Sequence, residues 1–266
     1  IMSSPEEEDR PGALEPDLKQ DIVFDHVTFA YDDNPPVLKD VSFTIPAGST
    51  FAILGSTSSG KSTLMYLLNR LYEVPEGCGT VSIGGVDVRD IRADYLRRGV
   101  GMCLQEPFLF SRTIRENIGI TARDMDMGET RRAASIACVD EAISDFAHGY
   151  DTVVGERGVT LSGGQKQRTA IARMLTQRAP IMVFDDSLSA VDAETDLKIR
   201  TQLKTHLGGS TVILISHRVT TLMSADCILV LDKGRVQQMG THEELMAQEG
   251  IYRHIFNMQM SSEVTA

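Results

Sequence analysis

The sequence feature that most constrains the fold is a glycine-bounded polar loop between an apolar run and a helical pattern. The loop spans residues 55–62, follows the apolar residues 51–54 and leads into a helical pattern over 63–69. Its members, with the first residue after it, are Gly55, Ser56, Thr57, Ser58, Ser59, Gly60, Lys61, Ser62 and Thr63. In such a unit, backbone N–H groups and the helix dipole favour an anion at the helix N-terminus. The spacing G-x-x-x-x-G-K-S predicts a phosphate-binding loop, although a glycine-containing turn can match it by chance.

A phosphate loop of this kind works with a metal-holding carboxylate. We expect Lys61 to reach the outer phosphates and the Ser62 hydroxyl to be a ligand of Mg²⁺. The apolar run over residues 181–184 ends in Asp185 and Asp186, which would lie beside the loop at the C-terminal edge of a parallel sheet. Asp185 is therefore predicted to be the magnesium partner. Without the upstream loop, two acids that follow a strand would be about as often the cap of a turn or of a helix as a metal site.

Length and composition exclude several classes of protein. A chain of 266 residues can bury a substantial core, and its net charge of −11 argues against a nucleic-acid surface. Four widely spaced cysteines predict reduced thiols, and neither disulfides nor a zinc site. No apolar run approaches the roughly 18–20 residues that span a bilayer, so we expect the chain itself to be soluble.

The order of strand and helix patterns indicates the fold class. Residues 22–29 and 41–45 are typical of antiparallel strands, and helical periodicity dominates from about 105 to 158. Further on, helices near 163–177 and 193–207 alternate with apolar strands at 181–184, 211–215 and 227–231, before a helical C-terminus. This alternation predicts an α/β fold with a mainly parallel sheet covered on both faces.

A second glycine-rich segment indicates a family. Leu161, Ser162, Gly163, Gly164 and Gln165 run directly into an amphipathic helical pattern, so their N–H groups form a second predicted phosphate site. The segment resembles the signature motif of ATP-binding cassette (ABC) proteins. The resemblance covers residues 21–258, with the motifs in family order. It implies ATP and Mg²⁺ as ligands and head-to-tail pairing of two nucleotide-binding domains, each signature closing over the ATP held by the other's phosphate loop.

The same resemblance implies an architecture. The implied core is a P-loop NTPase (RecA-like) fold with a mainly parallel sheet. An N-terminal antiparallel β subdomain and an inserted α-helical subdomain at about residues 106–168 would complete it. Residues 1–20 are expected to be a linker from a missing transmembrane domain, and residues 21–266 the nucleotide-binding domain. The chain begins with Ile1 and Met2, so a domain excised from a longer protein and a cloning remnant are both open.

Individual residues acquire roles through this resemblance. Tyr31 matches the aromatic residue that stacks on adenine, and Gln105 matches the glutamine that senses the γ-phosphate and metal. Residues 189–192 match the D-loop at the dimer seam. His217 matches the switch histidine that contacts the γ-phosphate. Together, Asp186, His217 and Gln105 are the expected catalytic residues, with Ser62, Gln105 and Asp185 as the expected metal ligands.

Residues 105–118 and 152–158 resemble the exporter versions of the Q-loop region and the X-loop. In exporters these segments receive the coupling helices of transmembrane domains. The resemblance therefore implies a bacterial multidrug-type exporter, with this domain at the cytoplasmic face of the plasma (inner) membrane through a transmembrane domain absent from the chain.

Two residues depart from the family pattern. Asp186 stands where the family has the catalytic glutamate, and Ser58 where its phosphate loop commonly has glycine. The shorter acid withdraws its carboxylate by roughly 1.5 Å, and a misplacement of about 1 Å can cost on the order of 10²-fold in rate. We therefore expect low intrinsic turnover in a degenerate site, as in one half of a heterodimeric exporter whose LSGGQ segment completes the partner's hydrolytic site.

Other interpretations remain open at this point. A slow homodimeric exporter ATPase, a nucleotide-binding structural subunit and a soluble regulatory ABC ATPase each fit part of the pattern. A regulator acting on DNA or ribosomes would call for basic surfaces, coiled coils or tandem cassettes. A P-loop kinase unrelated to transport would leave LSGGQ and His217 unexplained.

Overall fold

The structure, a computed structural model, describes residues 8–32, 34–121, 126–155, 159–187, 191–206 and 208–263. Two β-sheets and ten α-helices lie within these ranges. The strands are β1 (Ile22–Phe29), β2 (Leu38–Ile45), β3 (Thr50–Leu54), β4 (Thr80–Ile83), β5 (Val86–Asp87), β6 (Val100–Cys103), β7 (Ile181–Asp185), β8 (Thr211–Ser216), β9 (Cys227–Asp232) and β10 (Arg235–Gly240). The helices are α1 (Lys61–Leu68), α2 (Ala93–Gly99), α3 (Ile114–Gly119), α4 (Met127–Ile136), α5 (Asp140–Ser144), α6 (Gly163–Thr176), α7 (Ala193–His206), α8 (Val219–Leu222), α9 (His242–Ala247) and α10 (Ile251–Glu263).

The two sheets differ in strand direction. The smaller sheet has the order β2-β1-β4-β5 and is antiparallel throughout. The larger sheet has the order β10-β9-β3-β8-β7-β6 and is parallel except for the edge strand β10. None of the helices in the described ranges combines the length and apolarity that a bilayer crossing requires.

The larger sheet is buried on both faces, which explains its continuous apolar strands. Successive residues of a strand point to opposite faces, and in β3 the side chains of Phe51 and Ile53 join one core cluster while those of Ala52 and Leu54 join the other. The first cluster also contains the apolar side chains of the antiparallel sheet and of α1. The second contains those of α3, α4 and α6. The sheet is thus a central layer between the two parts of the fold.

Residues 8–20, the described part of the predicted linker, lie against the body of the domain. Leu14 pairs with Ile91 in an isolated bridge, and Leu18 is buried. The Asp9 carboxylate accepts hydrogen bonds from the backbone N–H of Ala93 and from Nη1 of Arg70, whose guanidinium is buried. A charged, proline-containing composition therefore does not prevent this segment from packing.

The predicted fold class is confirmed: an α/β P-loop architecture with an antiparallel β part, a mainly parallel sheet and a helical region. The boundaries differ locally. The apolar run over residues 99–104 forms a strand only at Val100–Cys103, because Gly99 ends α2. A Cβ at Gly99 would collide with the side chain of Leu18, so the residue serves close packing in a helix too short to show a clear sequence period.

Candidate functional site

Four chemically important segments meet at one edge of the large sheet. The strands β3, β8, β7 and β6 are neighbours in that order and run parallel, so their C-terminal ends lie along one edge. The phosphate loop follows β3, His217 follows β8, Asp186 follows the last residue of β7, and Gln105 follows β6. The sheet topology therefore gathers residues that are more than a hundred positions apart in the sequence.

Glycines fix the shape of the phosphate loop. Gly60 precedes α1 with a φ of 103°, a left-handed conformation, and a Cβ there would lie 2.7 Å from Cδ2 of Leu38. A Cβ at Gly55 would collide with the backbone oxygen of Leu231. Ser58 also has a positive φ of 63°, which costs a non-glycine residue roughly 1–2 kcal/mol. The loop thus keeps a left-handed residue where the family commonly has glycine.

Lys61 lies over its own loop. Its Nζ donates hydrogen bonds to the backbone oxygens of Gly55 at 2.9 Å and Ser56 at 2.8 Å. Burial lowers the pKa of the Lys61 ammonium, whereas the charges of Asp186 and Asp185 raise it. The lysine is therefore an almost buried cation at the mouth of the loop, facing two carboxylates.

Asp185 and Ser62 form the oxygen pair expected of a magnesium site. The Ser62 hydroxyl donates to Oδ2 of Asp185 at 2.8 Å, and the carboxylate is buried at the end of β7. Burial, with the nearby charge of Asp186, raises the pKa of Asp185, while the hydrogen bond from Ser62 and the charge of Lys61 lower it. A hydroxyl and a carboxylate are hard oxygen donors of the kind that Mg²⁺ prefers, so these residues fit the metal.

Asp186 contacts His217 directly, a pairing that the sequence analysis does not predict. Oδ1 of Asp186 accepts from the backbone N–H of His217 at 3.3 Å and lies 3.1 Å from its Nδ1. The Asp186 side chain is 11% exposed and that of His217 is 57% exposed. Asp186 also has a φ of 45° and donates its backbone N–H to the oxygen of Ile215. Aspartate is among the residues that adopt this left-handed conformation most readily.

Tyr31 lies beside the start of α1. Its hydroxyl is 3.0 Å from Oγ1 of Thr63, and its ring meets those of Phe29 and Tyr72 edge to face, with centroids 5.0 and 4.9 Å away. Tyr72 itself is 46% exposed. The aromatic group beside the phosphate loop thus contains more than the one ring that the sequence analysis selects.

The signature segment begins α6, and its side chains form a capping box. Ser162 Oγ accepts from the backbone N–H of Gln165, and Gln165 Oε1 accepts from that of Ser162. In the described part of the chain, no hydrogen bond joins Ser162, Gly163, Gly164 or Gln165 to the phosphate loop. The two predicted anion sites of one chain therefore remain separate.

Gln105 is exposed, and α6 holds its backbone. Its carbonyl oxygen accepts from Nε2 of Gln167 at 3.2 Å. Of the predicted D-loop, residues 189 and 190 lie outside the described residues, while Val191 is buried and Oδ1 of Asp192 accepts from the backbone N–H of Thr195.

Arg173 is a second anchor on α6 that sequence reasoning missed. Its Nε donates to the backbone oxygen of Asn117 at 2.7 Å, Nη2 to Oδ1 of Asn117 at 2.9 Å and Nη1 to the oxygen of Phe108 at 2.9 Å. Its guanidinium also lies over the ring of Phe110. Burial lowers the pKa of Arg173. The only signal in the sequence is a basic residue within the apolar stripe of a helix.

Replacing Arg173 with lysine is expected to destabilise the domain by about 2–4 kcal/mol, because a single ammonium cannot replace three forked donors, two of which serve the buried Asn117. The free energy of unfolding in urea measures the effect. Arg132→Lys, at an exposed position of α4, is the matched control and should change stability by less than about 0.5 kcal/mol. Equal stability of the two variants would remove Arg173 as an anchor.

The structure brings the two exporter-like segments together. The backbone N–H of Ile114 donates to the oxygen of Thr152, and that of Val154 donates to the oxygen of Arg112. Near this junction Phe108 is 69% exposed and Val153 is 45% exposed. Residues 156–158 of the predicted X-loop lie outside the described residues. The described part of the two segments forms one surface with uncovered apolar side chains.

Comparison with known proteins gives consistent matches. Residues 38–189 match the sequence model of the family described as "ABC transporter". The chain is 41% identical to the ATP-dependent lipid A-core flippase of Idiomarina loihiensis over 98% of its own length and 45% of the flippase. It is 40% identical to the toxin RTX-I translocation ATP-binding protein of Actinobacillus pleuropneumoniae over 97% of its length and 37% of that protein.

A solved structure extends the similarity to the fold. A bacterial Atm1-family ABC exporter with ATP bound superposes with a TM-score of 0.91 at 38% identity, over 95% of this chain and 44% of that one. The chain spans less than half the length of these relatives.

Proposed function

Because the chain belongs to the ABC transporter family, we propose that it is the ATP-binding and ATP-hydrolysing motor domain of an exporter, dimerising head to tail around ATP. The observation that carries the proposal is the meeting of the phosphate loop, Asp185, Asp186 and His217 at one sheet edge. The family is one of ATPases, and every one of these groups has a use in phosphoryl transfer.

In this proposal the phosphate loop holds the triphosphate. Backbone N–H groups at the start of α1 bind phosphate oxygens, and the Lys61 ammonium exchanges its loop carbonyls for the outer phosphates. Ser62 and Asp185 would hold Mg²⁺, with Gln105 as a further ligand, and the metal would neutralise charge that develops on the phosphates. Tyr31 would stack on the adenine. These residues bind and orient the nucleotide.

Asp186 would act as the general base toward the attacking water, with His217 as the group that contacts the γ-phosphate. The structure supports a slow reaction, since Asp186 is short and its Oδ1 is engaged by His217. A base must come within hydrogen-bond reach of the water it activates. We therefore propose that the ATP site at the chain's own phosphate loop is degenerate and retains ATP for longer than a site with glutamate takes to hydrolyse it.

The signature segment would complete a site on another nucleotide-binding domain. Ser162 and Gly163 are exposed at the N-terminus of α6, where a helix end favours phosphate. A non-identical partner with a catalytic glutamate would give one degenerate and one hydrolytic site. The surface at Phe108 and Val153 would receive the coupling helices of transmembrane domains at the cytoplasmic face of the membrane.

ATP turnover of the full-length transporter subunit, alone and mixed with a homologous subunit that carries a catalytic glutamate, tests this proposal. Activity that appears only in the mixture supports the heterodimer. Slow turnover of the single subunit that the mixture does not raise supports the slow homodimeric ATPase instead. Failure to bind Mg-ATP under either condition would overturn the motor proposal, and turnover without dimer formation would favour a soluble regulatory ATPase.

The Asp185 site also predicts a pH dependence. Because the pKa of Asp185 is raised, protons compete with Mg²⁺ at a higher pH than at an ordinary aspartate. Magnesium-dependent affinity for a non-hydrolysable ATP analogue should therefore be constant at high pH and fall by up to about tenfold per pH unit below the pKa of Asp185. Titrations between neutral and acidic pH, corrected for protonation of the nucleotide, measure this. Asp185→Asn should bind weakly without the additional slope, and parallel profiles for both proteins would contradict the prediction.

A further inference from the structure

The last described helix, α10, contacts the segment that carries His217. Nε2 of Gln259 donates to the backbone oxygen of His217 at 2.7 Å, and Oε1 of the same side chain accepts the backbone N–H of Val219 at 2.8 Å. The side-chain amide of Gln259 thus hydrogen-bonds the backbone on both sides of Arg218. Such two-point contact fixes the position and the orientation of a short backbone segment.

The segment needs an external partner because of the way α8 begins. Val219 is the first residue of α8, and its N–H belongs to the group that has no partner within the helix. Arg218, at the N-cap position, supplies no side-chain cap. Gln259 therefore takes the place that a capping side chain has in other helices, from a helix 40 residues further along the sequence.

The contact continues to the proposed catalytic acid. The backbone N–H of His217, in the same peptide segment, donates to Oδ1 of Asp186, and Nδ1 of the ring lies beside that oxygen. Because the His217 side chain is 57% exposed, packing around the ring does not hold it. Its backbone is held instead, by Asp186 on one side and by Gln259 on the other.

The other half of α10 is firmly attached to the domain. Tyr252 is fully buried, its hydroxyl lies 2.7 Å from Nδ1 of His242, and its backbone N–H donates to Oε1 of Gln238. Gln259 follows two turns later on the same helix. A rigid helix anchored at Tyr252 can therefore determine where the Gln259 amide lies.

We propose that Gln259 is a positioning residue for His217, through which α10 holds the Asp186–His217 pair in place. The inference rests on the proposed ATPase function for its consequence and on the hydrogen bonds for its geometry. The amide does not touch the nucleotide; it acts through the backbone of residues 217–219. Displacement or loss of α10 would thus loosen the catalytic pair without removing any ATP ligand.

Hydrogen exchange on the whole chain tests the geometry without reference to activity. In Gln259→Ala, the Val219 amide should exchange at least about tenfold faster because it loses its acceptor. The His217 amide should also exchange at least about tenfold faster, because its hydrogen bond to Oδ1 of Asp186 is no longer steadied by the Gln259 contact at the His217 oxygen. In Gln259→Glu, the carboxylate still accepts from Val219 but cannot donate to the His217 oxygen. Val219 should remain protected while His217 loses protection. Asn257→Ala, which removes an amide from an exposed position on the same helix, should leave both unchanged.

Steady-state kinetics test the consequence. In both Gln259 variants, kcat should fall by roughly tenfold with the KM for Mg-ATP within about twofold of the parent, as expected for misplacement of a reacting group. A merely structural role would lower the unfolding temperature and leave kcat per folded molecule unchanged. If the His217 amide exchanges equally in the parent and Gln259→Ala, the inference is wrong. If the parent chain does not bind Mg-ATP, the proposed function fails while exchange still decides the positioning role.

Discussion

Replacing Lys61 with methionine is expected to weaken ATP binding by about 100-fold or more and to abolish turnover. Lys61 is the one cation in the loop of residues 55–62, and its Nζ lies between the carbonyl oxygens of Gly55 and Ser56. Charge-assisted hydrogen bonds contribute about 1.5–3 kcal/mol each, and every 1.4 kcal/mol is about a tenfold change in affinity. Methionine keeps the length of the apolar stem and removes the charge.

Titration with a fluorescent ATP analogue measures this effect, and unfolding in urea separates it from stability. The fold should tolerate the change within about 1.5 kcal/mol, because a buried ammonium gives way to an apolar group of similar length. Lys204→Met, at an exposed position of α7, is the matched control and should bind ATP as the parent does. Parental affinity in Lys61→Met would show that residues 55–62 are not the nucleotide site.

Replacing Asp186 with glutamate is expected to raise ATP turnover by about 10- to 100-fold. The added methylene advances the carboxylate by roughly 1.5 Å, and displacements of about 1 Å can change rates on the order of 10²-fold. It also allows the carboxylate to extend beyond its present contact with His217. Phosphate release at saturating Mg-ATP measures the gain.

The backbone conformation at residue 186 makes the glutamate variant less stable than the parent. Asp186 has a φ of 45°, and glutamate adopts the left-handed region less readily than aspartate. The variant should therefore lose about 0.5–1 kcal/mol of stability while it gains activity. Asp186→Asn keeps the size and removes the base, so it should turn over more slowly than the parent. A glutamate variant that is folded and no faster than the parent would contradict a degenerate site.

The sequence allowed the local parts of the site to be predicted, because each depends on neighbouring residues. The loop of residues 55–62 is recognised by its own spacing, and Asp185 ends an apolar strand whose direction determines where the carboxylate lies. The alternation of strands and helices was sufficient for the mainly parallel sheet and for its C-terminal edge as the place where the segments meet.

The contacts between distant segments could not be predicted in the same way. The pairing of Asp186 with His217 depends on the neighbouring positions of β7 and β8, and Gln259 and Arg173 are common residues in ordinary helical patterns. Residues 8–20 read as a linker from their composition, yet Asp9 finds a partner in the buried Arg70. Such contacts follow from tertiary packing, which no local pattern encodes.

The fate of ATP at the chain's own phosphate loop tests the central claim most directly. Labelled ATP is bound with Mg²⁺, chased with excess unlabelled ATP, and the bound label is analysed over time as ATP or ADP in the parent and in Asp186→Glu. The account predicts that the parent still holds mostly ATP when the glutamate variant has converted most of its label to ADP. Conversion to ADP at equal rates in the two proteins would contradict it.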